Sequence, residues 1–272
     1  FFGLILIFIF DLKNLISLFI NYKEVKLTTE IKSEIKFNIF QDIFKRKLSY
    51  FIESNQAKIV NIINVQAVLV TTYILIFLII FKETLLLLII FIFLLFQTSI
   101  AMFPLILFFG LLIIVFYNVF KKKISKLGID NKNLEEKQIK TIYDTVYLVK
   151  LLKLHKKKKI FFEIFKKDFL QKLKIEIKHF MIGKLPKAII EVVGITLFVA
   201  LSIILTLNND SKDLVLDKLA LISIVMIRSL PILINLGQQL TSLKFYTVSV
   251  DLIYDEMMKQ NSLIDIEKKI KF

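Results

Sequence analysis

An arginine, a proline and two glutamines interrupt the apolar sequence SIVMIRSLPILINLGQQLTSLKF, which runs from Ser223 to Phe245. If this segment is a membrane-spanning helix, a charge within it costs roughly 3 kcal/mol and should face the protein interior or water. Arg228 could therefore contact an anionic headgroup of a substrate. It could equally pair with a carboxylate on another helix, for which Glu83 and Glu191 are the candidates.

The proline of this segment predicts a change of helix geometry, and its glutamines allow two interpretations. Pro231 lacks an amide N–H and cannot bond to the carbonyl of Ile227, which predicts a helix kink. Gln238 and Gln239 could line a substrate path, or they could form hydrogen bonds between helices. The candidate substrate path consists of Arg228, Glu83, Glu191, Gln238 and Gln239, and Pro231 is the predicted helix kink.

Local ion pairs are the alternative for the two glutamates. Glu83 adjoins Lys82, whose long side chain can extend toward the membrane surface. Glu191 follows Lys184 by about two helical turns and Lys187 by about one. Each carboxylate could therefore be neutralised within its own helix.

Other chemistry has little support in the sequence. The chain has no cysteine, so it has no disulfide framework or thiolate nucleophile, and its histidines, His155 and His179, are isolated. No Ser/His/Asp set or carboxylate pair has a catalytic spacing. We expect no catalytic, metal or cofactor site in this chain.

The composition indicates a membrane protein. The 272 residues are 56% hydrophobic and carry a formal net charge of +15, with a mean hydropathy of +0.71. Soluble domains rarely combine such a high hydrophobic content with such a large positive charge. A bilayer core of roughly 30 Å needs about 20 helical residues, and the apolar zones predict five crossings, at about 1–20, 59–96, 100–120, 187–207 and 214–243.

The lysines give the orientation. Most of the 38 Lys and Arg residues lie at 21–58, 121–187 and 244–272, which alternate crossings place on one side. The positive-inside rule makes that side, and the C-terminus, cytoplasmic. The polar connections at 22–48 and 136–180 have almost no Gly or Pro and repeat apolar residues every three or four positions, so we expect them to be helices extending into the cytoplasm.

Two connections contain short motifs. RKLSYFIESNQAKIVNIINV, from Arg46 to Val65, has Ser49, Asn55 and Ala57 in register with the pattern P-Y-S-F-x-x-x-x-N-S-A, and Tyr50 replaces its Phe. This pattern is common at the first coupling helix of ABC exporters, and the chain resembles their transmembrane domain. YLVKLLKLHKKKKIFFEIF, from Tyr147 to Phe165, is similar to the second coupling helix and the sequence after it.

A third block is more specific. GKLPKAIIEVVGITLFVAL and the sequence up to Met257 are similar to the fifth and sixth helices of the subgroup that contains lipid-linked oligosaccharide flippases. The residues in register include Leu185, Pro186, Glu191, Arg228, Pro231 and Phe245. The likeness extends from the second helix to the linker after the sixth.

The resemblance implies an all-α membrane bundle that contains five of the six long helices, with cytoplasmic extensions and coupling helices. Residues 1–258 would be the transmembrane domain and 259–272 a linker toward a nucleotide-binding domain. Coupling to that domain would fall on Ser49, Tyr50, Phe51, Glu53, Asn55, Tyr147, Val149, Lys150 and Leu151.

The resemblance also implies partners and a location. ATP and Mg²⁺ would bind a nucleotide-binding domain, because this chain lacks the glycine-rich phosphate loop. We expect a fragment without the first helix and that domain, acting in the bacterial inner membrane as a dimer with a second copy or a homologous subunit. The implied function is an ATP-driven exporter or flippase for an amphipathic, lipid-linked or anionic substrate.

Alternatives from other classes remain. A transferase acting on lipid-linked sugars would need acidic or His clusters at the membrane edge, and an anchoring or assembly protein would not need coupling helices. The basic run from Lys153 to Lys159 could attract nucleic acid or anionic lipids, or be a solvated face. No aromatic platform accompanies it, so we expect no nucleic-acid partner.

Overall fold

A computed structural model describes residues 2–97, 103–207 and 212–270, and within these ranges the chain is α-helical and contains no strand. The helices are α1 (Phe2–Phe44), α2 (Leu48–Glu53), α3 (Gln56–Asn61), α4 (Ala67–Gln97), α5 (Phe103–Tyr147), α6 (Val149–Leu154), α7 (Lys158–Leu207) and α8 (Lys212–Ile270). A π-helical turn, Ile62–Gln66, joins α3 to α4. The prediction of an all-α protein is confirmed.

Four of the helices are much longer than a membrane crossing needs. α1, α5, α7 and α8 contain 43, 45, 50 and 59 residues, and even 43 residues span about 65 Å at 1.5 Å per residue. Few internal Gly or Pro residues interrupt them, which explains their length. α7 and α8 continue through Pro186 and Pro231.

Among the described residues, two helical stretches are long and apolar enough to cross a membrane. They are Gln56–Ile90, with a mean hydropathy of 2.6, and Lys159–Ile204, with 2.2. They overlap the crossings predicted at 59–96 and 187–207, and the other three crossings stay predictions. The connection between the crossings predicted at 59–96 and 100–120, and the one between those at 187–207 and 214–243, lie largely outside the described residues. The predicted linker is helical as far as Ile270.

The chain divides into two compact units. The first unit comprises Phe1–Leu75 and Ser249–Phe272. Its core contains Ile39, Ile43, Ile62, Ala67 and Ile253, which bring α1, the π-helical turn and the end of α8 together. The buried amides of Asn61 and Gln66 lie at the two ends of that turn and are 3.4 Å apart, with the Gln66 amide donating.

The second unit, Ile76–Val248, is held together by apolar contacts among α5, α7 and α8. Its buried residues include Phe116, Ile124, Ile182, Ile190 and Phe245. These side chains recur on helical faces, which is the spacing that a helix bundle needs.

Glycines allow the helices of this second unit to approach closely. A Cβ atom on Gly128 of α5 would lie 2.6 Å from the backbone oxygen of Phe245 in α8, and one on Gly237 of α8 would lie 2.7 Å from Cβ of Pro186 in α7. Small residues at such positions let helix backbones pack against each other. The sequence shows these glycines only as scattered residues.

A lysine in the left-handed conformation ends α6. Lys156 has φ 55°, and the amides of Lys156 and Lys157 donate to the carbonyls of Lys153 and Leu152. This is the Schellman arrangement, in which glycine is the usual residue. The chain turns from α6 into α7 here although the sequence offers no glycine as a stop signal.

We predict opposite effects for alanine at two glycines of this unit. Gly128→Ala should lower the free energy of unfolding by about 2 kcal/mol, because the new methyl group meets a backbone oxygen. Gly183→Ala is the control, since nothing lies within 4 Å of its Cβ position, and should raise stability by roughly 0.5 to 1 kcal/mol. Unfolding followed by circular dichroism at 222 nm measures both, and equal effects would contradict the close approach.

Candidate functional site

The first segment predicted to couple forms the short helix α2, between the long α1 and the α3–α4 helix. Ser49 is exposed, while Tyr50 and Phe51 are half-buried and pack against the core of the first unit. The side chain of Glu53 lies outside the described part of the structure. Asn55 is the N-cap of α3, and its side-chain oxygen accepts a hydrogen bond of 2.9 Å from the amide of Ala57.

A buried carboxylate joins this segment to α8. Glu256 accepts a hydrogen bond of 3.0 Å from Nη1 of Arg46 and one of 2.5 Å from Nζ of Lys58. Nη2 of Arg46 donates to the backbone oxygen of Glu256 at 2.8 Å, and the guanidinium lies over the ring of Tyr50, 4.3 Å from its centre. We call Arg46, Lys58 and Glu256 the charge triad.

Burial strengthens the electrostatic interactions within the charge triad. The side chains of Arg46 and Glu256 are only 9% and 8% exposed. Burial by itself raises the pKa of Glu256, but the hydrogen bonds from Lys58 and Arg46 and their positive charges outweigh it, so the pKa lies below its usual value. The carboxylate stays ionised and holds α3 and the end of α1 to α8.

The second predicted coupling segment forms the short helix α6, between α5 and α7. Tyr147 is 89% exposed, and Val149, Lys150 and Leu151 are exposed as well. Exposed apolar side chains in one place are typical of a surface that contacts a partner. The helix presents such a surface within the second unit.

The candidate substrate path is only partly brought together. Glu83 of α4 accepts a hydrogen bond of 2.7 Å from the side-chain amide of Asn235 in α8, and Gln239 donates to the oxygen of Asn235 at 3.2 Å. The described partner of Glu83 is therefore an amide on another helix. Gln238 is half-buried nearby along α8.

The other members of the predicted path lie apart from this chain of hydrogen bonds. Arg228 is exposed, and within the described ranges no carboxylate lies within ion-pair distance of it. Glu191 forms a local pair with Lys187 at 3.7 Å, and about half of each side chain is exposed. Pro231, the predicted helix kink, is exposed on α8, which continues through it.

Three functional candidates escaped the sequence analysis, namely Arg46, Glu256 and Asn235. Arg46 and Arg228 are the arginines of the sequence, and every other basic residue except the histidines is a lysine. An arginine in a chain whose other cationic side chains are lysines indicates a site that needs the planar guanidinium. Arg46 could have been found by this criterion. No local signal marks Glu256 or Asn235.

Metal binding has no basis in the described part of the chain, where no group of three His, Asp or Glu side chains could hold an ion. The arrangement offers hydrogen bonds, ion pairs and apolar surface.

We predict that Glu256→Gln lowers the free energy of unfolding by about 3 kcal/mol, because it leaves the buried guanidinium of Arg46 without a counter-charge. Glu30→Gln is the matched control, since Glu30 forms an exposed pair with Lys26 at 3.7 Å and should change stability by less than about 0.5 kcal/mol. Chemical unfolding of both variants in detergent checks this, and equal losses would contradict a special role for Glu256.

A comparison of the wild type with Glu256→Gln at different pH values tests the lowered pKa of Glu256. Because the pKa of Glu256 is lower in the folded state, its stabilisation is complete above its unfolded pKa, about 4.3, and is lost as pH falls through the folded value. The stability difference between the wild type and Glu256→Gln should therefore shrink below about pH 4. A difference that is constant down to pH 2 would contradict the lowered pKa.

No protein-family model matches this sequence, and no curated protein matches it. The family therefore stays a prediction that depends on the motifs in the sequence.

Proposed function

We propose that this chain is the membrane-spanning part of an ATP-driven exporter or flippase of the ABC type, nearest the lipid-linked oligosaccharide flippases. It moves an amphipathic, lipid-linked or anionic substrate across the bacterial inner membrane by alternating access. ATP and Mg²⁺ bind a separate nucleotide-binding domain. The chain works as a dimer with a second copy or a homologous subunit, and its C-terminus is cytoplasmic.

The observation that carries this proposal is the position of the two short helices. α2 and α6, of six residues each, lie between much longer helical segments, since the equally short α3 continues through the π-helical turn into α4. Both fall where the sequence resembles coupling helices, in stretches that the lysine distribution predicts to be cytoplasmic. A protein that only anchors other proteins has no need of this pattern.

Within the first unit, the charge triad supports a coupling role for α2. Arg46 precedes α2 by two residues and its guanidinium contacts both Tyr50 of α2 and Glu256 of α8. A force applied to α2 would therefore reach α8 through a buried, charge-assisted contact and not through a flexible loop.

Within the second unit, α6 is firmly attached to the helix that follows it. The carbonyls of Lys153 and Leu152 accept hydrogen bonds from Lys156 and Lys157 in the turn, and the carbonyl of Lys157 accepts one from Ile160 of α7, so α6, the turn and α7 are linked by hydrogen bonds. A movement of α6 would be passed to α7 with little loss in the turn.

The substrate path in this proposal follows one face of α8. Arg228, Asn235 and Gln239 are separated by seven and four residues, which places them on the same side of the helix. Arg228 would contact the anionic group of the substrate. The chain of hydrogen bonds through Asn235 to Glu83 would fix the polar wall beyond it.

We predict that Leu151→Asp lowers ATPase activity about tenfold, within the usual range of coupling energies, because it puts a charge on the exposed apolar face of α6. The activity measured is the vanadate-sensitive activity of the chain purified from its own membranes with its nucleotide-binding domain. Leu170→Asp on α7, at a similarly exposed leucine, is the control and should leave the activity unchanged. Equal activities, or the absence of a copurifying ATPase, would contradict the proposal.

We predict that Arg228→Ala raises the lipid concentration needed for half-maximal ATPase stimulation roughly tenfold, because one charge-assisted contact is lost. Arg228→Lys should retain part of the affinity, since the positive charge remains. Stimulation by an anionic lipid-linked sugar in liposomes is the measurement. Unchanged stimulation in Arg228→Ala would exclude a headgroup contact.

A further inference from the structure

An open pocket of about 390 Å³ lies where α5, α6 and α7 meet. Its walls are mainly apolar, with Ile142 and Val146 of α5, Leu152 of α6 and Phe165 of α7 among them. A volume of about 300 to 1,000 Å³ with apolar walls and few polar groups is typical of small-molecule sites. The pocket belongs entirely to the second unit.

The polar groups of the pocket define what it can accept. The hydroxyls of Thr141 and Thr145 donate to the carbonyls of Lys137 and Thr141 within α5, at 3.0 and 2.6 Å, so their protons are already used. Lys153 contributes a cation to the wall. None of the described lining residues carries a carboxylate.

The surroundings have the same charge. The sequence HKKKK follows Leu154 directly, so the field around the pocket is positive and attracts anions. A cation beside an apolar cavity complements a molecule with an apolar body and one negative group. A purely apolar ligand would offer no negative group to the cation of Lys153.

We propose that this pocket binds a single anionic amphiphile, with an aromatic or short acyl body between the three helices and a carboxylate or phosphate against Lys153. The ligand enters from solution as a monomer. Because the pocket is walled by α6 and both neighbouring helices, an occupant fixes the position of α6. This inference goes beyond the proposed transport function and holds for the chain without any ATPase partner.

The test uses 2-naphthylacetate as the probe and ligand-observed NMR on the chain in nanodiscs, with empty nanodiscs to subtract uptake by lipid. We expect saturable binding of the carboxylate, with the uncharged 2-naphthylacetamide at least about tenfold weaker because it lacks the charge-assisted contact. Equal binding of the acid and the amide would overturn the assignment of an anion site.

Two lysine variants separate the pocket from general attraction to the basic surface. Lys153→Met, which keeps a side chain of similar length, should weaken 2-naphthylacetate at least about tenfold. Lys157→Met removes a charge close by, at an exposed lysine that is not among the lining residues, and should weaken it less than about twofold. Equal weakening by the two variants would mean surface attraction and would overturn the proposal.

A filling variant tests the cavity itself. Val149 lines the pocket and is partly exposed, so Val149→Trp should occupy the space and abolish saturable binding. Circular dichroism reports whether that variant keeps its helices, and the lysine pair decides if it does not. Unchanged binding in a folded Val149→Trp protein would overturn the proposal.

Discussion

The Glu256 carboxylate is the contact on which the first unit depends. It binds Arg46 and Lys58, which lie about two hundred positions away in the sequence. Two cations around one buried anion are stable only if all three stay together, since an unpaired buried charge is strongly destabilising. Ile39, Ile43 and Ile253 of the apolar core lie beside Arg46 and Glu256, and the burial of those two charges strengthens their attraction.

The second unit is held together differently. Gly128 lets α5 approach the backbone of α8, and Gly237 lets α8 approach Pro186 of α7. The apolar residues around these glycines fill the remaining space. Small residues at close contacts and hydrogen bonds between helices both favour helix association. The hydrogen bond from Asn235 to Glu83 is one of these, and it keeps a carboxylate satisfied within an apolar stretch of α4.

The corner around α6 combines rigidity with an open surface. Hydrogen bonds join its end to the turn before α7, Leu151 and Leu154 are exposed, and Val149, Leu152 and Lys153 line the pocket. Because α6 has only six residues, it cannot be stable as an isolated helix and takes its position from what surrounds it. A ligand in the pocket and a partner on the outer face would thus act on the same small element.

The sequence by itself determined the all-α class and the long helices. These properties are local: few glycines and prolines, apolar residues every three or four positions, and motifs such as SYFIESN. It also marked Arg228 and Pro231 as unusual, because a charge or a missing amide is visible in its own segment.

Only the tertiary structure decided which groups meet. It placed Glu256 against Arg46, gave Glu83 the amide of Asn235, and left Arg228 exposed and Glu191 paired with its neighbour Lys187. Helix periodicity states which residues share a face, but not which face of another helix lies opposite. That choice depends on the packing of whole helices, where one glycine at a crossing point such as Gly128 decides how closely two backbones approach.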